Sequence, residues 1–211
     1  MKKKFVISML AALIVCISSV TFAAATQFSD MPVGHWAYEG VIFLESKGII
    51  SDGYGDGTYL GNRNITRYEF AVMVARMHAK KTGTINVRGN PFSDVPAKHW
   101  AAKSVIFLAT EGIEEGYGDG TFLGNRNLTR YEMAHILANL IKKDAKNMQF
   151  KKVSQGVFFD IPTSSKYYND VKMLAEIGLV EGYGDRTYQG NRTITRYEIA
   201  QMLAKFYTKI F

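Results

Sequence analysis

Cysteine is almost absent from this 211-residue chain: the one copy, Cys16, lies inside an apolar N-terminal stretch. If that stretch is removed on export, no disulfide and no thiol chemistry remain. The sequence also lacks G-x-S-x-G and H-E-x-x-H, the patterns that place a serine nucleophile on a sharp turn or two zinc-binding histidines on one helix face. Histidine is scarce, with His35, His78, His99 and His135, and only His35 and His99 match by position within the repeating units described below. A metal site built from one histidine per unit has no third member, since the third unit offers Ser165, so no catalytic, metal or cofactor site is expected. Long apolar runs are missing except at residues 5–20. The composition, 47% hydrophobic and 21% charged, is that of an ordinary globular chain rather than a disordered or fibrous one.

That N-terminal run reads as an export signal covering residues 1–25. Lys2, Lys3 and Lys4 form the basic region, Phe5 to Val20 the apolar region, and Thr21-Phe22-Ala23 or Ala23-Ala24-Ala25 a small-residue cleavage site. As a retained anchor it is short of the roughly 20 residues a spanning helix needs. Leu13-Ile14-Val15-Cys16 loosely matches a lipoprotein signal, but bulky Val15 before the cysteine argues against it. Three of the 26 basic residues leave with the leader, so against 19 acids the charge falls from +7 to +4. Such a mild excess calls for no nucleic-acid partner, and no transmembrane segment is expected in the mature chain.

What the chain has in abundance is itself. GYGDGTYLGNRNITRYE at 53–69 returns as GYGDGTFLGNRNLTRYE at 116–132 and as GYGDRTYQGNRTITRYE at 182–198, with spacings of 63 and 66 residues. Three supersecondary units are implied. Each opens on an aromatic residue, an Asp and a Pro: Phe28, Asp30, Pro32; Phe92, Asp94, Pro96; Phe158, Asp160, Pro162. A first helix is predicted from about His35 to Lys47, with Trp36, Gly40, Val41 and Leu44 on one face and Gly48 as its stop. Trp100, Ser104, Val105, Leu108 and Gly112 repeat the pattern, and the third unit keeps Val171, Leu174 and Gly178 but has Ser165-Lys166 for His-Trp. The third helix should stand without its aromatic corner.

The repeated loop ends in a capping box: Thr66 with Glu69, Thr129 with Glu132 and Thr195 with Glu198 each start a second helix. The stripes that follow are Phe70, Met73, Val74, Met77; Met133, Ile136, Leu137, Leu140; and Ile199, Met202, Leu203, Phe206. Linkers at Thr82 to Asn90 and Lys142 to Gln155 read as exposed connectors. A unit of about 50 residues buries too little of its surface to stand alone, so three helix pairs should pack as one mainly α body.

Candidate binding chemistry lies in the same loop. Asp56, Asp119 and Asp185 stand alone, without the alternating oxygens and closing Glu of a calcium loop, and are read as turn formers. Arg67, Arg130 and Arg196 occupy the first turn of a capped helix, where free amides and the dipole favour an anion; Arg63, Arg126 and Arg192 come four residues earlier. Two readings stay open: capture of a carboxylate or phosphate, or pairing with nearby acids that ties loop to helix. Trp36 and Trp100 could anchor the core or offer a face to a sugar ring.

The order Phe-x-Asp, His-Trp-Ala, Gly-Ile, Gly-Tyr-x-Asp-Gly-Thr-(Phe/Tyr), (Ile/Leu)-Thr-Arg-x-Glu resembles the S-layer homology (SLH) domain, in three copies at 26–81, 90–144 and 156–211. The resemblance implies three helix-loop-helix repeats in a pseudo-threefold body with ligand grooves between neighbours. It further implies non-catalytic attachment of exported protein to the cell wall, commonly through a pyruvylated polymer linked to peptidoglycan. The groove residues it implies are Asp30, Asp94 and Asp160, Trp36 and Trp100, and Arg67, Arg130 and Arg196. Two positions depart from the usual pattern: Tyr68, Tyr131 and Tyr197 stand where Ala is usual, and Gly61, Gly124 and Gly190 where Pro is usual. This variant is similar to SLH modules of diderm Firmicutes, whose ligand is peptidoglycan, in some members bearing a polyamine. A tyrosine beside the arginine is expected to reshape the groove, and the grooves built from the first two units, with the full aromatic set, are expected to dominate. The other role open to such a chain is structural: an S-layer or envelope assembly protein acting through contacts with other envelope proteins.

Overall fold

The computed structural model describes residues 28–51, 55–145, 149–150 and 158–211, so the expected leader at 1–25 lies outside the described residues. Among the described residues six helices follow in order: α1 (Tyr38–Ser46), α2 (Arg67–Thr82), α3 (Ala102–Thr110), α4 (Arg130–Asp144), α5 (Tyr168–Glu176) and α6 (Arg196–Ile210). Each repeat thus holds a short helix, the repeated loop and a long helix, and no helix among the described residues is long and apolar enough to cross a membrane.

The short helices begin later than the apolar spacing predicts. His35 to Ala37 form a turn, because the His35 Nδ1 accepts the Ala37 amide and draws the chain into a bend; His99 does the same for Ala101. Trp36 and Trp100 therefore do not share the core face of their helices: they are 59% and 63% exposed, while Val41, Leu44, Val105 and Leu108 are fully buried. At the other end the predicted stop is present, with Gly48, Gly112 and Gly178 at φ of +66°, +68° and +69°. The long helices start where the capping boxes place them. Each Thr hydroxyl accepts the Glu amide at 3.3 Å, and each Glu carboxylate accepts the Thr amide at 2.8–2.9 Å. Thr129→Ala should lower stability by about 1 kcal/mol, read as a drop in the urea midpoint with an unchanged slope. Helix α4 runs through Lys142 and Lys143 to Asp144, so the second connector begins later than its lysine content suggested.

The helix pairs are exchanged between repeats. Helix α1 packs on α6, α3 on α2 and α5 on α4, so each short helix lies on the long helix of another repeat. The partners run parallel: Trp36 meets Tyr197 near the start of one pair and Phe43 meets Tyr207 near its end. At the far end of another pair His78, buried against Phe107, bonds Asp144 at 2.8 Å and so joins α2 to α4.

The three repeats meet at a ring of main-chain hydrogen bonds. Ile65 donates to Ile194, Ile194 to Leu128 and Leu128 to Ile65, at 2.9–3.2 Å, with all three side chains fully buried. Around this ring the first amide of each long helix donates to a neighbouring loop: Arg67 to Arg126, Arg130 to Arg192 and Arg196 to Arg63, each at 3.0 Å. The second amides follow, Tyr68 to Gly124, Tyr131 to Gly190 and Tyr197 to Gly61, at 2.8–2.9 Å. The pseudo-threefold body implied by the resemblance is thus assembled from backbone groups that every helix start leaves unsatisfied.

Candidate functional site

Three grooves run between the repeats, and each draws one residue from the same three positions of three different repeats. The first, about 640 Å³, is lined by Trp36, Arg130 and Glu198 among others. The second, about 380 Å³, has Trp100, Arg196 and Glu69 in the corresponding places. The third, also about 380 Å³, has Lys166, Arg67 and Glu132. The tryptophans and arginines singled out in the sequence are thus brought together, but always across repeats.

The arginines are deeply engaged. Arg67 is 3% exposed; its Nε donates to the Phe122 carbonyl at 2.9 Å, and its Nη atoms lie 3.3 Å from Glu114 and 3.5 Å from Glu132. Arg130 donates to the carbonyls of Tyr188 and Glu181, both at 2.9 Å, and Arg196 to Tyr59 at 2.9 Å and Glu69 at 3.2 Å. Each guanidinium also lies over aromatic rings, 4.5–4.7 Å from the centroids of Tyr59, Phe122 and Tyr188. Arg63, Arg126 and Arg192 pair with Glu69, Glu132 and Glu198. The first three amides of every long helix are already taken, by neighbouring loops and by the capping Thr. The free amides on which the anion reading relied are therefore absent at these helix starts, and the arginines tie repeat to repeat.

The opening aspartates act as clasps. Asp30 accepts the amides of Tyr59 and Leu60 at 2.6 and 2.8 Å, Asp94 those of Phe122 and Leu123, and Asp160 those of Tyr188 and Gln189. Both oxygens of each carboxylate hold the repeated loop, none of the three lines any of these grooves, and the clasp fixes Leu60, Leu123 and Gln189 at φ of +52° to +54°. Asp56, Asp119 and Asp185 accept from the threonine two residues on, through both its amide and its hydroxyl, as turn formers do.

The tyrosines of the variant motif, expected to reshape the grooves, line none of these three directly. Tyr68, Tyr131 and Tyr197 are buried, and each ring lies flat against a glycine of the next loop: Gly124, Gly190 and Gly61 respectively. A Cβ on any of these glycines would come within 2.0–2.3 Å of the facing ring's carbons. The two departures from the usual pattern therefore meet in one contact. Against the outer side of these rings pack His99 at 4.1 Å and His35 at 4.2 Å. The third repeat rebuilds this corner, contrary to expectation: Ser165 Oγ accepts the Tyr167 amide at 3.3 Å, and Tyr167 stacks on Tyr131 at 4.7 Å in place of a histidine. What it lacks is the exposed indole, replaced by Lys166.

Electrostatics around the capping glutamates are set by competing effects. Burial pushes the carboxyls of Glu132 and Glu198 up, yet donors outweigh it and the net shift is downward: Tyr117, Thr129 and Arg67 at Glu132, Arg192 and Thr195 at Glu198. Tyr117, partly buried and bonded to Glu132, is held well above the usual phenol range, first by burial and then by that bond. A lowered carboxyl stabilises the fold above the unfolded value near 4.5, and this contribution is lost as pH falls through the folded value. The melting temperature should therefore fall below about pH 4.5, and Glu132→Gln should flatten that decline; a parallel profile for the variant would contradict it.

Sequence reasoning missed the capping glutamates as groove residues and missed Glu114. The latter could have been found by aligning the residues after each helix-stopping glycine, where Ile50 and Val180 are apolar and the second repeat has Glu114.

Comparison with known families matches the S-layer homology domain at residues 27–71, 91–134 and 158–200, more than half of the chain. The chain belongs to the S-layer homology family. Among its relatives, the outer membrane protein SlpA of Thermus thermophilus is 48% identical over 147 residues, 69% of this chain and 16% of that protein. The S-layer protein Sap of Bacillus anthracis is 28% identical over 97% of this chain and 24% of its own length. A cellulosome-anchoring protein of Acetivibrio thermocellus is 27% identical over 72% of this chain and 34% of its own length. The chain spans at most about a third of the curated relatives it matches. The matched segments all lie on the pseudo-threefold body.

Proposed function

We propose that this SLH protein is a non-catalytic module that is exported to the cell envelope and holds protein to peptidoglycan, or to a polymer linked to it. The observation that carries the reading is the set of three open grooves, two of them edged by an indole more than half exposed. An exposed tryptophan beside fixed polar groups suits a sugar ring, and each indole rests an edge on a buried tyrosine, Tyr197 or Tyr68, while more than half of it stays open to solvent. Relatives named as S-layer and cellulosome-anchoring proteins support an envelope role.

The electrostatics of the first groove favour peptidoglycan over a strongly anionic polymer, whereas the second groove, with Arg76 and Arg196 against Glu69, has the more positive lining. The buried arginines spend their charge on carboxylates and carbonyls of the protein itself. Of the charged residues lining the first groove, Glu39, Glu181 and Glu198 outnumber Arg130 and Lys205. A pyruvylated chain would meet acids there rather than an open arginine clamp. Asp30, Asp94 and Asp160, with the three arginines, contribute by holding the groove walls, and Trp36 and Trp100 by touching the ligand.

Co-sedimentation with purified sacculi, before and after acid stripping of attached polymers, tests this. Retention after stripping is the expected result; failure to sediment with either preparation would sink the wall-binding reading. Exposed Val33, Leu60, Leu123 and Phe159 favour, as a second reading, docking to other envelope proteins. Concentration-dependent self-association in light scattering, without any wall, would support it.

A further inference from the structure

The third repeat breaks the local rules of its own loop at two positions, and the two touch. Where the first and second repeats have Gly57 at φ +76° and Gly120 at φ +81°, the third has Arg186 at φ +63°, a left-handed conformation that suits glycine and strains any side chain. At the opening motif, Ser29 and Ser93 donate their hydroxyls to the carbonyls of Gly57 and Gly120 at 3.2 Å; the third repeat has Phe159 instead. The Arg186 guanidinium lies 4.2 Å from the centroid of the Phe159 ring, yet the phenylalanine stays 69% exposed. The repeat thus takes on backbone strain, gives up a side-chain hydrogen bond and leaves an aromatic ring in water. Packing within the chain returns little of this.

The surroundings of the pair narrow what it can meet. Phe159 and Arg186 line none of the three grooves, and a small ligand needs concave walls around it. An aromatic ring beside an arginine is the composition of the core of a protein–protein contact. The nearest acids are already engaged, Asp185 with Thr187 and Asp160 with the amides of Tyr188 and Gln189. Arg186 itself makes no ion pair among the described residues.

A surface of the complementary kind lies on this same chain. The first groove is the largest of the three, at about 640 Å³, and Phe43, Leu179 and Met202 give it apolar lining beside Trp36. Exposed Glu39, in the first turn of α1, has no ion pair among the described residues. Glu181, 67% exposed, is held by Lys205 in a surface pair of little worth. The other grooves suit the pair less: Arg76 and Arg196 would repel a guanidinium in the second, and the third is smaller and carries Lys166.

We infer that Phe159 and Arg186 dock into the first groove of a second copy of this chain, the ring against Phe43 and Met202 and the guanidinium against Glu39 and Glu181. The inference rests on the assembly reading, to which it gives a partner, and not on wall binding. Wall and second copy exclude one another at this groove and leave the second groove open to the wall.

The test is sedimentation velocity of the whole exported protein over a range of concentrations. One ring and one charge make a small contact, so the association should be weak, with a dissociation constant of about 10–100 µM. Phe159→Ser combined with Arg186→Gly, which installs the residues of the other two repeats, should weaken it by about tenfold or more without lowering the melting temperature. Glu39→Lys and Arg186→Glu should each weaken it by a similar factor. Both reversals in one chain should recover most of the loss, which non-specific sticking of an exposed ring would not do. A monomer at every concentration, association indifferent to the Phe159→Ser and Arg186→Gly pair, or no recovery in the double reversal would each overturn the inference. Sedimentation with sacculi is read separately: a protein that associates but fails to bind wall refutes wall binding and leaves this contact standing, and one that binds wall but stays monomeric does the reverse.

Discussion

Alanine at both Trp36 and Trp100 is expected to release the protein from sacculi while leaving its melting temperature unchanged. The two indoles are 59% and 63% exposed and edge two different grooves, so their loss opens no core cavity, and surface changes of this kind stay within about 0.5 kcal/mol. For binding the magnitudes are different. A tryptophan at the centre of a contact is worth about 2 kcal/mol or more, a factor of roughly 30. Either single variant should therefore weaken sedimentation by about that factor. The double variant should lose at least a hundredfold, because two engaged grooves on one rigid body act in concert. Unchanged sedimentation of the double variant would mean that the indoles are surface ornaments and that the grooves bind, if at all, by other groups.

Gly124→Ala should destabilise the fold by about 3 kcal/mol, the upper part of the range for overpacking. The added Cβ would come within 2.2–2.3 Å of ring carbons of Tyr68, which is buried between Gly124, His99 and Phe122 and has little freedom to retreat. For a chain of this size that loss corresponds to a fall of about 6–12 °C in melting temperature. Tyr68→Ala alone should cost about 3–5 kcal/mol through the cavity it leaves. The decisive measurement is the double variant. If ring and glycine are one device, the combined loss will be smaller than the sum by about 1–3 kcal/mol, because the methyl group added in place of the Gly124 hydrogen then enters space the ring vacated. Strict additivity would show that the two positions are independent and that their joint departure from the usual SLH pattern has another cause.

Much of this architecture is legible in the residues. The capping boxes at Thr66, Thr129 and Thr195 are local: the hydroxyl and the carboxylate act within three residues of each other, so the sequence alone places the helix starts. The stopping glycines at 48, 112 and 178 are equally local, since a left-handed turn needs no partner from elsewhere. The stripes of α2, α4 and α6 follow from helical spacing, and all but Met202 are buried. Met202, Met73 and Ile136 all face a groove from the same helix position, and of the three Met202 alone is half-buried.

The roles of charged and aromatic side chains were less legible, for a physical reason. A helix start read by itself has free amides, and an arginine beside them looks like an anion clamp; here the neighbouring repeat supplies the carbonyls that fill those amides. By helical spacing the indoles looked like core anchors, and only the bend made by His35 and His99 turns them outward. Tyr68 beside Arg67 looked like a groove residue, yet residues adjacent in a helix point about 100° apart, and the tyrosine faces the next loop instead.

The sequence by itself therefore determined the family, the three units, where each long helix begins and where each short helix stops, because capping, turn and periodicity effects act over a few residues. Only the tertiary structure decided which helix packs on which, that every groove is assembled from three repeats, that the arginines join repeats to one another, and that Glu114 lies buried against Arg67. These depend on contacts between residues some 50 to 140 positions apart, and a spacing rule within one repeat carries no information about them.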